Sequence, residues 1–179
     1  MTRRKLRIVA AYPHRRGLSY VILDEDRKLR DFGRRWIPTD KHQATLAHLK
    51  LLLETKDVDV LVLEDERHFS CRRREPIKRL LREMRRMARA KNIEVKLVFQ
   101  LEVARTFEPN GTSNKHHRAS LVSQLYPQLR DRRPPKRELW SAESECMGVF
   151  DAAGIALTHM GLPATAPEDE VTRLERMEA

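Results

Sequence analysis

Apolar and polar positions alternate in short blocks over the first third of the chain. KLRIVAAY, residues 5–12, is an apolar run with β-branched members and predicts a strand. PHRRG follows with turn chemistry, Pro13 fixing φ and Gly17 tolerating positive φ. LSYVILD (residues 18–24) and LRDFGRRWI (residues 29–37) predict two further strands, the last interrupted by Gly33. Thr39 or Asp40 can cap a helix over residues 41–55, where Leu46, Leu49, Leu52 and Leu53 recur at helical spacing. VDVLVLE, residues 58–64, is almost continuously apolar, as a strand covered on both faces should be.

Ile77, Leu80, Leu81, Met84 and Met87 then mark a helix over residues 76–90, and IEVKLVF (residues 93–99) predicts a fifth strand. NGTSNK is a turn and a helix start; Leu121, Val122 and Leu125 share the face of a helix that stops before Pro127. A last helix is predicted over residues 141–159, and the tail, residues 161–179, has too little apolar content to dock firmly. The order β-β-β-α-β-α-β-α-α predicts an α/β fold of one domain, residues 1–160. Its mixed five-stranded sheet has three antiparallel meander strands and helices on its faces.

Charge narrows the function. The 179 residues carry 36 Lys and Arg against 26 Asp and Glu, a formal net charge of +10. Such a surface favours a polyanion, nucleic acid or anionic membrane. No apolar run approaches the ~18 residues of a membrane span, and the N-terminal apolar run is too short for an export signal. A cytoplasmic protein without a membrane partner is therefore expected, with Cys71 and Cys146 as reduced thiols. The positive charge is concentrated in two segments. Arg72, Arg73 and Arg74 precede the helix on which Lys78, Arg79, Arg82, Arg85, Arg86 and Arg89 lie off the apolar stripe, opposed there only by Glu83. RDRRPPKR, residues 130–137, adds Arg132, Arg133 and Lys136. Both segments are either solvated faces or phosphate-binding ones, and phosphate contacts would give salt-dependent affinity with little sequence readout.

Acidic chemistry is sparser. In open α/β sheets ligands bind outside the ends of parallel strands. Glu64 ends the fourth predicted strand, while the end of the first, a favoured place for a catalytic carboxylate, is Tyr12. Asp151 borders the apolar stripe Met147, Phe150, Gly154 and Leu157. Glu143 lies roughly 80° from it around a regular helix, and Glu145 roughly 120° to the other side, toward solvent. Clustered carboxylates with substrate phosphate can hold Mg²⁺, and two such ions about 4 Å apart cleave phosphodiesters. The plainer alternatives are a solvated Glu64 and an Asp151 paired with Lys or Arg.

In this order and spacing the residues resemble the RuvC-like branch of the ribonuclease H-like superfamily, the Holliday-junction resolvases and their uncharacterised relatives, over residues 5–160. The family's first strand ends in Asp-Pro and a Gly-containing turn, where this chain has Tyr12-Pro13 and then HRRGLSYVIL. Glu64 matches the acid of the fourth strand, and FDAAGIALTH, with Asp151, matches the C-terminal helix. Resolvases carry a further acid three residues earlier, where this chain has Gly148; relatives read Trp-x-Ser-Glu, similar to WSAE with Glu143.

The resemblance implies a ribonuclease H-like sheet with two parallel strands after the meander, a homodimer, and a Mg²⁺- or Mn²⁺-dependent endonuclease acting on branched DNA in recombination and repair. Glu64, Asp151 and Glu143 would hold the metal, Lys115 would lie near the scissile phosphate, and Phe69 would contact bases. Arg72, Arg73, Arg74, Lys78, Arg79, Arg82, Arg132, Arg133 and Lys136 would bind nucleic acid. Tyr12 is the departure that matters, since a phenol with a pKa near 10 is a poor ligand for a hard cation. Asp24 cannot replace the missing acid, being roughly 20 Å away at the far end of its strand. Two expectations follow: a resolvase-like endonuclease with an altered site, or a catalytically impaired module that binds structured DNA or RNA.

Overall fold

The first strand lies at the centre of the sheet, beside the nearly all-apolar fourth. In the computed structural model, which describes residues 4–108, 114–136 and 144–162, β1 (Arg7–His14) pairs antiparallel with β2 (Gly17–Asp24) and parallel with β4 (Val60–Glu64). β3 (Leu29–Trp36) adds antiparallel to β2, and β5 (Glu94–Val98) adds parallel to β4, giving the order β3-β2-β1-β4-β5. The expected mixed sheet of three meander strands and two parallel ones is thus present. β1 runs two residues beyond its predicted end. Pro13 fits inside it because β4 pairs with β1 only over Ile8–Ala10, so the proline costs no ladder bond on that side. Gly17 follows the Arg15-Arg16 turn at φ 144°, and a Cβ there would lie 1.9 Å from the Arg35 carbonyl oxygen, so only glycine fits.

Strand alternation sends successive side chains to opposite faces. Val9, Ala11, Leu18 and Ile22 pack against α1 (Lys41–Thr55) and α2 (Glu75–Ala90) through Leu49, Leu53, Leu81 and Met84. Ala10, Tyr12, Val21 and Leu23 face the other layer: α3 (Gln100–Phe107), α4 (Lys115–Leu125) and α5 (Met147–Met160). Helix α3 is not foreseen by the hydrophobic pattern. It is eight residues long and buries only Val103 and Phe107, one i,i+4 pair, too little periodicity to separate from a loop. The apolar stripe of α2, which by sequence fits a dimer interface as well as a core, is spent inside the molecule: Leu80, Leu81, Met84 and Ala88 are buried on the sheet. Helix α5 begins at Met147, not at residue 141; Glu145 and Cys146 form a turn, with the Ser144 carbonyl accepting from Met147 N–H. Residues 141–143, the 109–113 part of the predicted turn, Arg137 and the tail from residue 163 lie outside the described residues. Among the described residues no helix is long and apolar enough to cross a membrane.

Asp24 has a structural task at the opposite end of the sheet from Tyr12, where it pairs with Arg7. Only 2% exposed, it accepts from the backbone N–H groups of Asp26 and Lys28 and from Arg30 Nε at 2.8 Å. Burial opposes its charge, but the Lys28 N–H and Arg30 outweigh it, so its pKa is lowered. A lowered carboxyl pKa stabilises the fold above the unfolded value near 3.9 and loses that contribution as pH falls through the folded value. Asp24→Asn is expected to cost about 1–3 kcal/mol near neutral pH. In urea titrations the gap from the unaltered chain should close below about pH 4; a gap independent of pH would rule out the ionised form as its source.

Candidate functional site

The parallel pairing of β1 and β4 brings their C-terminal ends side by side, and with them Tyr12 and Glu64, 6% and 1% exposed. The chain then folds over this edge. Asp65 N–H donates to the Val98 carbonyl, His68 stacks on Phe99 with ring centroids 4.0 Å apart, and Cys71 N–H closes a turn onto the His68 carbonyl. This loop leaves Phe69 84% exposed and turns Arg73 inward. The Arg73 guanidinium carbon lies 4.1 Å above the Tyr12 ring centre, and Nε donates to Glu64 Oε2 at 2.8 Å. From the helical layer, α5 presents Asp151 and the first residue of α4 presents Lys115, whose Nζ lies 3.1 Å from Asp151 Oδ2. Asn114 caps α4 by accepting from His117 N–H, which fixes where Lys115 starts.

Both carboxylates therefore have a basic partner within the protein. Burial first, and then the nearby Asp151 charge, push the Tyr12 phenol well above the usual tyrosine range. The crevice lined by Tyr12, Gln100, Lys115, Arg118 and Asp151 holds only about 10 Å³ of free volume, room for about one water. A divalent metal, which the resemblance implies, needs carboxylate oxygens free to coordinate it. Here Glu64 is committed to Arg73 and Asp151 to Lys115, so the residues present do not fit the ion. Glu143, the expected third ligand, lies outside the described residues. Its predicted angle to Asp151 does not apply, because helical geometry starts only at Met147.

The further acid of the resolvases is closed off sterically. Gly148 sits so close to β2 that a Cβ would lie 2.5 Å from Ser19 Oγ and 3.2 Å from His14 Cδ2. Glu145, expected in solvent, is held by Arg34 at 2.9 Å and by Arg16.

The basic candidates divide into two groups. Arg72, Arg74 and Arg79 are exposed beside the site loop and on α2, Lys78 is half-buried, and Arg82 is paired with Glu75. Arg73 belongs to the interior rather than to this surface, and Arg85 is drawn to buried Glu66 at 3.0 Å. Arg132, Arg133 and Lys136 are exposed at the end of, and just after, a 3-10 turn (Pro127–Arg132) that packs on α4. Arg133 Nη1 reaches Ser120 Oγ at 3.5 Å, and after burial the charges of Arg133 and Lys136 help lower the His116 pKa, so this segment runs toward the Lys115 end. The inward turn of Arg73 has no signature in the sequence; its neighbours Arg72 and Arg74 have the same side chain and opposite fates.

The sheet order and the two helical layers are those of the RuvC-like form of the ribonuclease H-like fold. Among solved structures the chain is similar to RuvC of Thermus thermophilus, with a TM-score of 0.59 and 14% identity over 86% of this chain and 93% of that one. It is similar also to T. thermophilus RuvC in complex with Holliday junction substrate, with a TM-score of 0.61 and 14% identity over 86% and 92% of the two chains. No protein-family model and no curated protein sequence matches the chain.

Proposed function

We propose that this protein is a RuvC-like module that binds branched or otherwise structured DNA and does not cleave it. The observation that carries the reading is the state of the strand-end acids: Glu64 and Asp151 are each engaged by a basic side chain, on a protein whose net charge is +10. Hydrolysis would require both acids to release their partners and coordinate metal together. Binding requires neither, because Arg72, Arg74 and Arg79 face solvent beside the same strand end. Phe69, exposed on the site loop, supplies a ring on which an unpaired base can stack. The likeness to a RuvC solved with a Holliday junction supports a branched substrate.

The test is binding and nicking of a labelled four-way junction against a duplex of equal length, with Mg²⁺ or Mn²⁺ present. Tighter binding of the junction without cleavage is expected. Cleavage abolished by Asp151→Asn would replace this reading with that of an endonuclease, and equal affinity for junction and duplex would remove the branched preference. The triple variant Arg72→Ala/Arg74→Ala/Arg79→Ala should flatten the dependence of log affinity on log salt by roughly 2–3, about 0.9 for each phosphate no longer neutralised. An unchanged slope would place the phosphate-binding groups elsewhere.

A further inference from the structure

We propose that the Arg73 guanidinium is the resident cation of this site, seated between the strand-end acid Glu64 and the ring of Tyr12, and that it closes the seat to exchangeable metal. Its place is set by three interactions of different kinds. Nε donates to Glu64 at 2.8 Å, the guanidinium carbon lies 4.1 Å over the Tyr12 ring centre, and Asp151 is close enough to act on it electrostatically. Nη2 is buried and makes no hydrogen bond among the described residues, so the ring and the carboxylates are what hold this end of the side chain. A guanidinium remains charged at any pH a protein meets, so the cation cannot be removed by deprotonation.

Charge and shape both match an exchange of ions. Two carboxylates and one divalent cation sum to zero; Glu64 and Asp151 with Arg73 and Lys115 sum to zero as well. The shape of the seat is altered to suit. A hard metal is held better with an oxygen ligand at the end of β1, whereas a guanidinium is held by the face of an aromatic ring. Tyr12 gives the second and not the first. Tyrosine at this position is therefore not a damaged ligand but half of a paired replacement, with Arg73 as the other half. Tyr12→Asp by itself would add a third acid while leaving the seat filled, so that substitution alone does not restore a metal site.

The probe is Mn²⁺, and the readout is thermal unfolding of the full chain in EDTA and in rising MnCl₂. The unaltered chain should keep one Tm throughout. Arg73→Ala, and more strongly Arg73→Ala/Tyr12→Asp, should gain roughly 5–10 °C once Mn²⁺ exceeds its dissociation constant about a hundredfold. Adding Asp151→Asn should remove the gain. If the Arg73 variants do not fold in EDTA, refolding that depends on Mn²⁺ is the expected result in place of the shift. Saturable Mn²⁺ binding by the unaltered chain overturns the proposal. So do Arg73 variants indifferent to Mn²⁺, whether folded or not. Nucleic-acid binding is not read in this experiment, so its outcome is independent of the junction assay.

Discussion

Glu64→Leu is expected to destabilise the protein by about 3–5 kcal/mol, while Glu64→Leu/Arg73→Met should recover most of that loss. The asymmetry follows from burial. Glu64 and Arg73 side chains are 2% and 19% exposed, so removing the carboxylate leaves a guanidinium that water reaches poorly and that is deprived of its hydrogen-bonded counterion. The Tyr12 face remains, but a cation–π interaction contributes only about 1–2 kcal/mol, less than the desolvation it would have to offset. Replacing both charges with apolar side chains of similar volume removes the desolvation cost along with the attraction, which is why such exchanges are often neutral or stabilising. For a chain of this size the single variant should lose roughly 6–20 °C in Tm. Urea titrations of Glu64→Leu, Arg73→Met and the double variant measure the coupling directly, provided the m-value is unchanged. Losses in Glu64→Leu and Arg73→Met that add up to the loss in the double variant would mean that the pair is not coupled. Arg73 would then be no more than a loop residue that happens to point inward.

The hydrophobic pattern locates the ends of the site better than its centre, for physical reasons. Glu64 closes a run that is apolar at every position, and such a run has few places to stop, so a strand-end acid is legible. Tyr12 is legible by the same logic, because the β1–β2 hairpin fixes which residue faces which. Asp151 stands out as the acid beside an apolar stripe, and the structure shows the pairing with Lys, the plainer of its two alternatives. Arg73 is different. Its direction depends on how nine residues of loop fold after Glu64, held by a His68–Phe99 stack and by the backbone bond from Asp65 N–H to Val98 in β5. None of those interactions leaves a periodicity. The beginning of α5 is misplaced by the pattern because residues 141–146 contain no proline or glycine to mark a break, while the turn at Glu145–Cys146 is set by its backbone bonds and by Arg16 and Arg34 holding Glu145.

Gly148→Asp, which would place an acid where the resolvases carry one, is expected to destabilise the fold by about 4 kcal/mol or more. Two effects add. The first is steric: the new Cβ would lie 2.5 Å from Ser19 Oγ and 3.1 Å from Ser19 Cβ, so β2 and α5 must separate or distort, at about 1–3 kcal/mol. The second is electrostatic, since Gly148 is buried against a fully buried Ser19, and a carboxylate there has little water to solvate it. An acid in the first turn of a helix gains about 0.3–1 kcal/mol from the helix dipole, too little to offset either effect. Gly148→Ala separates them: it keeps the steric conflict, gains up to about 1 kcal/mol in helix propensity, and should lose only a small net amount. Thermal and urea unfolding of both variants supply the measurement. If Gly148→Asp unfolds like the unaltered chain, the close approach of α5 to β2 is wrong. If it unfolds early, as expected, then the packing of Ser19 beneath α5 denies this fold the further acid, just as the seating of Arg73 over Tyr12 denies it the first.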